Sequence, residues 1–399
     1  MSEEQLTSTL APQSTVPAIS LVIPMYNAEK YISECLESVL VQTFKDFEVI
    51  VVDDCSTDSS CEIVESYIPK FDGRLRLASM EKNTGSGALP KNKGLMLSRG
   101  EYIAFLDDDD MLTKTAFEEL HKLAKDYEAD VVYCEKNYSV DDDGTNLRIY
   151  SRPPVDFTDK PVFDSEDIAE RYNNLMRWRY SVIQWRKFVK RSLIMENELF
   201  FPPTCPSDDD IWTIGLVLCA KKLLRVPNIV YINRSTKNSI MHAKKTVEQA
   251  VNFWINPLLF GLKNLDEMIE PHEYFKKNPA NHFYLLEAFL VGKVAYAFKN
   301  FGQITSKDVY RVIREKYGEK FGEYDVLIPA LFAALHRDKV LFDRLKKSAD
   351  EATERVVELE RELKTLRTNN RIAELEKELR KLKSERISEL ESELKKLKS

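Results

Sequence analysis

A short apolar run that ends in four consecutive carboxylates constrains this chain more than any other stretch. Residues Tyr102–Leu106 are aromatic and aliphatic and follow Gly100, so they predict a buried strand. Asp107–Asp110 come directly after it. Adjacent carboxylates repel one another and raise each other's pKa unless a cation or hydrogen bonds compensate them. The run therefore predicts either a divalent-cation site at a sheet edge or a solvated acidic turn before the next helix.

Length and composition exclude several classes of protein. The 399 residues allow two or three domains, and the 43% hydrophobic content is enough for a sizeable core. A formal net charge of -7 argues against a nucleic-acid-binding surface. The six cysteines show no CxxC spacing, which indicates reduced and mostly buried thiols in a cytoplasmic protein.

The sequence predicts a protein that does not cross a membrane. No stretch is apolar for long enough to span a bilayer, and the N-terminus lacks the pattern of a secretory signal. A basic amphipathic face around Arg177–Arg191 leaves peripheral contact with the inner face of the membrane open.

Strands and helices alternate between Ala18 and Tyr133, which predicts a mostly parallel α/β sheet with helices on both faces. The preceding residues 1–17 are rich in Ser, Thr, Gln and Pro, so we expect a disordered leader. The expected elements are, in chain order, Ile19–Ile23, Glu29–Val41, Phe47–Val52, Asp58–Tyr67, Arg74–Ser79, Pro90–Ser98, Tyr102–Leu106, Lys114–Asp126 and Val131–Tyr133. Since parallel strands share a carboxyl edge, the polar clusters that follow three of these strands should converge there.

Three segments together resemble a known family. They are Ser20–Ile32 with its Pro-Met-Tyr-Asn turn, Glu48–Asp58 with an Asp-Asp pair, and Asn83–Asp110, which ends in the acidic run. They are similar to the opening of glycosyltransferase family 2. This resemblance implies the Rossmann-like GT-A fold, and an enzyme that inverts the anomeric centre of a nucleotide-activated sugar, with a UDP-sugar as the expected donor.

The resemblance also implies roles for the residues at the sheet edge. Asp54 would accept the N–H of the base, Asp107 would lie near the ribose, and Asp109 would hold Mn²⁺ or Mg²⁺. Lys91 stands where relatives often carry arginine, and it can neutralise diphosphate as a point charge but cannot form a bidentate fork. The implied nucleotide-sugar contacts are Pro24, Tyr26, Asn27, Asp54, Asn83, Lys91, Asp107 and Asp108.

Direct displacement at a sugar needs a carboxylate to take the proton of the acceptor hydroxyl. The resemblance places this catalytic base in the segment Pro206–Thr213, at Asp210, with Asp209 in place of the glutamate of relatives. An alignment shifted by one residue would make Asp209 the base. Without the resemblance, an acidic helix N-terminus explains these acids equally well.

Three more segments allow alternative interpretations. His242 follows the expected last strand, where relatives can place a residue on the metal or the diphosphate, and a structural histidine is the alternative. Trp185–Ile194 resembles the family segment beneath the acceptor pocket, but its local pattern favours an amphipathic helix with a basic outer face. Asp141–Gly144 predicts a hairpin turn and not a second metal site.

The sequence divides the chain into four segments. After the leader, residues 18–244 are the expected GT-A domain, with a nucleotide-sugar half at 18–135 and an acceptor half at 136–244. Residues 245–340 show helical periodicity without any residue that suggests chemistry. Residues 341–399 contain an internal helical repeat with leucines at heptad positions, which predicts a coiled coil and a homo-oligomer. A change of repeat spacing at Asn369-Asn370 predicts a kink, a turn or a change of partner.

The expected function is metal-dependent transfer of a sugar to a hydroxyl of a glycan, a cell-surface polymer or a glycoprotein. Two other classes are kept as alternatives. A sugar-nucleotide nucleotidyltransferase should carry a Gly-rich, Arg-containing loop after Ile23, and this chain has none there. A non-catalytic scaffold, in which the coiled coil is the functional part, would hydrolyse no donor.

We expect the full chain to form an oligomer, because leucines at both seam positions of a coiled coil need a partner chain. Light scattering at micromolar concentration measures the mass of the full chain and of a variant that ends at Asp338. The full chain should have a multiple of the protomer mass, and the shortened variant should be monomeric. A monomeric full chain would contradict the expectation and favour a helical hairpin within one chain.

Overall fold

The computed structural model describes residues 16–150, 157–203, 207–236, 246, 249, 261–300, 311, 355, 358–359, 377–386 and 388–389. The chain divides into two compact units, Met1–Phe301 and Gly302–Ser399. The described residues of the second unit are helical. His242, Asn369-Asn370 and most of the expected coiled coil lie outside the described residues, so these expectations stay predictions.

The order of elements in the first unit confirms the α/β class. The strands are β1 (Ile19–Met25), β2 (Phe47–Asp53), β3 (Leu75–Ser79), β4 (Tyr102–Phe105), β5 (Met111–Leu112), β6 (Val131–Cys134), β7 (Asn137–Asp141), β8 (Arg148–Tyr150), β9 (Val162–Phe163), β10 (Lys187–Lys190), β11 (Leu223–Val226) and β12 (Tyr231–Ser235). The helices are α1 (Ile32–Leu40), α2 (Ser60–Tyr67), α3 (Ala88–Leu97), α4 (Ala116–Asp126), α5 (Ile168–Met176), α6 (Arg191–Glu196), α7 (Asp208–Cys219), α8 (Leu262–Ile269), α9 (Glu273–Lys277) and α10 (Pro279–Asn300).

An eight-stranded sheet with the order β3-β2-β1-β4-β10-β6-β11-β9 forms the centre of the unit. The pairs β1–β2, β1–β4, β2–β3 and β6–β11 are parallel, whereas β10 runs antiparallel to both of its neighbours. Every residue of β2 is buried, as expected of a central strand covered on both faces. Each fully buried aliphatic side chain of this kind contributes about 1.5–3 kcal/mol.

The segment Trp185–Ile194 differs from the amphipathic helix that its sequence favours. Residues Gln184–Arg186 form a single 3₁₀ turn, strand β10 follows, and α6 begins only at Arg191. Arg186 and Lys187 are buried, so they form no basic outer face. The prediction fails because Val189 pairs with both β4 and β6 and Phe188 pairs with β6, and this pairing outweighs the local helical pattern. The basic face that left membrane contact open is therefore not present as a helix.

A smaller sheet with the order β5-β12-β7-β8 covers the acidic run. Strand β5 begins directly after Asp110 and pairs antiparallel with β12. Strands β7 and β8 form the hairpin expected at Asp141–Gly144, with Gly144 at a φ of +79°. This left-handed conformation suits glycine, which has no Cβ to clash.

Helices α8, α9 and α10 pack against the body of the first unit. Their apolar side chains share one cluster with residues of α5 and α7, namely Tyr172, Ile211, Ile214, Leu218, Leu265, Ile269, Phe275, Leu285 and Phe289. The compact unit therefore continues beyond residue 244. No helix in the described ranges is both long and apolar enough to cross a bilayer.

A buried carboxylate joins the amino ends of the central strands. Glu48, at the start of β2, accepts hydrogen bonds from Ser20 Oγ (2.7 Å), Arg76 Nη2 (2.9 Å) and the Arg99 backbone N–H (2.7 Å). Burial opposes its ionisation, but these donors and the charge of Arg76 outweigh burial and lower the pKa of Glu48. Gly100 packs directly on this corner, because a Cβ there would lie 2.5 Å from the Ser20 nitrogen.

We expect Glu48→Gln to destabilise the protein by about 1.5–3 kcal/mol near neutral pH, since hydrogen bonds to a charged acceptor are lost. The folded pKa of Glu48 is lowered, so its stabilisation is present above the unfolded pKa and disappears as the pH falls through the folded value. The gap between variant and wild type in urea unfolding should therefore shrink toward pH of about 4. Asp126→Asn, which breaks an exposed pair with Lys122, is the control and should change nothing measurable. An equal difference in unfolding free energy at neutral pH and at pH of about 4 would contradict the lowered pKa of Glu48.

Candidate active site

The carboxyl ends of β1, β2 and β4 converge, as the sequence predicts. The Tyr26 N–H donates to Asp108 Oδ2 at 2.9 Å, which ties the turn after β1 to the acidic run. The Asn27 N–H donates to Ser56 Oγ (2.9 Å), and Asn27 Oδ1 accepts from the Thr57 N–H (2.8 Å). Asn27 has a φ of 51°, a left-handed conformation that asparagine tolerates. Pro24 pairs with Val52 of β2, so the sheet fixes the position at which the turn after β1 begins.

Asp54 and Asn83 lie together at the end of β2. The Asp54 carboxylate is buried and accepts hydrogen bonds from the Thr84 backbone N–H and hydroxyl, each at 3.0 Å. The Asn83 amide donates to the Asp54 carbonyl oxygen at 2.9 Å. A carboxylate offers about four lone-pair sites, so Asp54 keeps capacity for another donor.

The fourth acid of the run has a structural task. Asp110 is fully buried and accepts hydrogen bonds from Tyr231 Oη (2.7 Å), Asn233 Nδ2 (3.2 Å) and the Arg234 backbone N–H (2.6 Å). All three donors belong to β12. Asp110 therefore fastens the smaller sheet to the end of β4 and leaves the other three acids at the surface of the cleft.

Asp107, Asp108 and Asp109 are half-buried beside Asp110. Burial and the negative charge of Asp109 raise the pKa of Asp107 to about 7. Burial, together with Asp109 again, raises the pKa of Asp108 well above its usual range, and burial also raises that of Asp109. The negative charge at this edge is thus incompletely compensated by the protein itself.

Residues of the 3₁₀ turn and β10 reach this edge from the opposite side. Gln184 is buried and its Nε2 donates to Asp107 Oδ1 at 2.9 Å. Lys187 Nζ donates to the carbonyl oxygens of Ser181 (2.6 Å) and Ile183 (2.8 Å), and burial lowers the pKa of Lys187 to about 7. Lys187 thereby fixes the loop that presents Gln184 to the acidic run.

The first turn of α7 brings a second group of acids to the site. Lys91, from α3, places its Nζ 2.8 Å from Asp208 Oδ2 and 2.6 Å from Asp209 Oδ1. Burial disfavours the charge of Lys91, but the two carboxylates outweigh burial and raise its pKa. Burial raises the pKa of Asp209 to about 6, against the opposing effect of Lys91. Sequence reasoning expects Lys91 at the diphosphate and does not anticipate these two partners.

The third acid of α7 has a partner from a distant helix. Lys293 Nζ, on α10, lies 2.8 Å from Asp210 Oδ2. The sequence gives no sign of this contact, because Lys293 sits in a helical segment without any recognisable motif. The charges of Asp208 and Asp209 help to raise the pKa of Asp107, so both acidic groups share one electrostatic environment.

The acidic run does not form a complete metal site by itself. Among the residues that the structure describes, no group of three or more His, Cys, Asp or Glu side chains is arranged to hold a metal ion. The donor set nevertheless suits a hard divalent cation, because such ions prefer carboxylate oxygens and three half-buried carboxyl groups follow one another here. The proposed second ligand, His242, lies outside those residues.

Sequence reasoning finds one side of the site and misses the other. The Asp-Asp pair and the acidic run are recognisable because they directly follow apolar strands. Gln184 and Lys187 lack such a signal, and the strand-forming pair Phe188-Val189 is the feature that could have placed them in the sheet. Lys293 could not have been found, since its contact joins residues 83 positions apart.

Comparison with known proteins identifies the family. Residues 20–191 match the model of glycosyl transferase family 2. Glycosyltransferase GlyG of Streptococcus pneumoniae is 31% identical over 230 residues, which cover 57% of this chain and 73% of that protein. A poly(ribitol-phosphate) beta-glucosyltransferase of Bacillus spizizenii is 31% identical over 210 residues, which cover 51% of this chain but only 30% of that protein.

A solved structure shares the fold. The crystal structure of S. aureus TarS 1-349 in complex with UDP-GlcNAc matches with a TM-score of 0.50 and 22% sequence identity. The match covers 81% of this chain and 91% of that chain. The expected GT-A fold is therefore confirmed.

Proposed function

Because the chain belongs to glycosyl transferase family 2 and is a glycosyltransferase, we propose that it transfers a sugar, with inversion, from a UDP-sugar to a polymer hydroxyl. The observation that carries the proposal is the convergence of Asp54, the acidic run and the head of α7 at one sheet edge. Family membership favours a transferase over the nucleotidyltransferase and the non-catalytic scaffold.

The donor nucleotide lies at the ends of β1 and β2 in this proposal. Asp54 accepts the N–H of uracil with its remaining lone pairs, and Asn83 fixes the backbone of Asp54. The Tyr26 side chain is half exposed beside this position, so its ring is available to the base. Pro24 and Asn27 shape the turn, Asp107 and Asp108 face the ribose, and Lys91 acts on the diphosphate by its charge alone.

Asp109 is the protein ligand for Mn²⁺ or Mg²⁺ in this proposal, and His242 is the second candidate ligand. A bound divalent cation would neutralise charge on the diphosphate leaving group. The position of Asp107, Asp108 and Asp109 at one sheet edge supports such a site, because a cation there would offset the burial and the charge of Asp109 that raise the pKa of Asp107. The donor diphosphate and water would complete the coordination.

Asp209 is a better candidate for the catalytic base than Asp210. The Asp209 side chain is 30% exposed, against 15% for Asp210, and its charge reaches Asp107. Its pKa of about 6 lies close to neutral pH, which is the range where a general base works best. Both acids have a lysine partner, Lys91 for Asp209 and Lys293 for Asp210, so exposure and pKa are what separate them. Our assignment therefore moves the base by one residue, within the alternative that the sequence left open.

The acceptor class rests on the names of relatives. One of them acts on poly(ribitol-phosphate), which is a polymer of hydroxyl-bearing units. We extend this to a cell-surface polymer acceptor for the present chain. The heptad repeat of residues 341–399 would hold several such sites in one homo-oligomer, and clustered sites raise the effective concentration of a multivalent acceptor.

Calorimetric titration with UDP tests the donor and the metal together. We expect binding in the presence of Mn²⁺ and clearly weaker binding after removal of divalent cations with a chelator, because the diphosphate would face uncompensated acids. GDP serves as the matched control and should bind more weakly. Equal affinity for UDP with and without metal would contradict the metal assignment, and preference for GDP would contradict the donor assignment.

Substitution of the head of α7 tests the base. Asp209→Asn should lower turnover by about 10²–10⁴ while UDP binding stays intact, since general base catalysis contributes that much. For the wild type, kcat/KM should fall as the pH drops below about 6, because a protonated carboxylate cannot accept the proton of the acceptor. Turnover is measured as UDP release from UDP-glucose and UDP-GlcNAc. A larger loss in Asp210→Asn than in Asp209→Asn would return the role to Asp210.

A further inference from the structure

The helical turn that carries the proposed base lacks the usual N-terminal cap. Asp208, Asp209 and Asp210 are the first three residues of α7, and Ser207 is the N-cap residue. The Ser207 side chain makes no capping hydrogen bond, and its buried Oγ finds no partner among the described residues. A cap of this kind normally stabilises the first turn of a helix. The first turn of α7 must be held by other contacts.

Two lysines from different parts of the chain supply those contacts. Lys91 joins α3 to Asp208 and Asp209, and Lys293 joins α10 to Asp210. Asp209 is bound directly by Lys91, and its neighbour Asp210 in the same turn is bound by Lys293. The turn that carries Asp209 is therefore in contact with both α3 and α10.

Lys293 is itself held in place by the packing of α10. Its ammonium lies 5.4 Å from the centre of the Phe289 ring, and Phe289 shares an apolar cluster with Ile211, the next residue after Asp210. Gly292 faces the Trp178 ring, where a Cβ would lie 3.1 Å from Cη2. The absence of a side chain at residue 292 thus permits the close approach of α10 to this tryptophan.

We propose that Lys293 is a positioning residue for the transfer reaction: by binding Asp210 it orients the first turn of α7 and so directs the Asp209 carboxylate toward the acceptor hydroxyl. This inference rests on the proposed function. It makes α10, which lies beyond the expected GT-A domain and beyond residues 20–191 of the family match, a part of the catalytic unit.

A positioning role differs in a measurable way from a purely stabilising one. Both side chains of the Lys293–Asp210 pair are only 15% exposed, so removal of Lys293 leaves a mostly buried carboxylate without its partner and also destabilises the fold. A displacement of about 1 Å at a reacting group, in contrast, can lower a rate by about 10². Turnover measured well below the melting temperature, where the variant is fully folded, therefore reports the positioning role separately from the loss of stability.

The test compares Lys293→Met, which keeps the length of the side chain without its charge, with Lys293→Arg. Assayed well below its melting temperature, Lys293→Met should lower kcat by about tenfold or more with little change in KM for UDP-GlcNAc, and its melting temperature should also fall. Lys293→Arg should recover most of the turnover, because a guanidinium can still bind Asp210. Lys263→Met breaks an exposed ion pair with Glu267 on α8 and is the matched control that should keep full activity.

The outcomes separate this inference from the proposed function. A wild-type protein that releases UDP from neither UDP-glucose nor UDP-GlcNAc would overturn the proposed function and the role of Lys293 with it. An active wild type with an equally active Lys293→Met would overturn the role of Lys293 alone. A fall in kcat that only follows a fall in melting temperature, in both Lys293 variants, would show that the pair is structural and would also overturn it.

Discussion

The crowding of carboxylates at one edge of the central sheet is the constraint that most of the surrounding polar contacts satisfy. Parallel strands end at the same edge of a sheet, so the acids that follow β2 and β4 lie along one edge with only β1 between the two strands. Charges of one sign that are partly buried cost several kcal/mol each unless they are compensated. Most of the polar contacts around this edge can be understood as compensation, by backbone N–H groups, by amides and by lysines from elsewhere in the chain.

The two ends of the sheet solve the problem of buried charge differently. At the amino end, Glu48 is matched by the cations of Arg76 and Arg99, and its pKa is lowered. At the carboxyl end, Asp107 receives an amide from Gln184, and its pKa rises to about 7. The arginines thus keep Glu48 charged at the amino end, whereas burial and neighbouring acids disfavour the charged form of Asp107 at the carboxyl end. The divalent cation that we propose there would favour the charged form again.

The donor side of the site was accessible to sequence reasoning because its signals are local. Apolar strands followed at once by acids predict both the sheet and the place where Asp54 and Asp107 lie, and the structure agrees in order and direction. The antiparallel strand β10 was not accessible, because its helical pattern is overridden by pairing with two strands that lie far away in the sequence. The sequence also could not show that Asp110 differs from the other three acids of Asp107–Asp110, since its burial depends on hydrogen-bond donors from β12.

The same contrast separates the donor side from the base side of the site. Residues 20–191 of the family match contain the turn after β1, the acid pair and the acidic run, whose geometry is set by neighbouring strands. The first turn of α7 lies outside that range and is not part of a strand. Its acids are instead bound by Lys91 on α3 and Lys293 on α10. A change in the packing of α10 can therefore move the proposed base without disturbing the strands that carry the proposed donor contacts. If the proposed roles hold, helices beyond the matched residues have a physical route to adapt one nucleotide-sugar site to different acceptors.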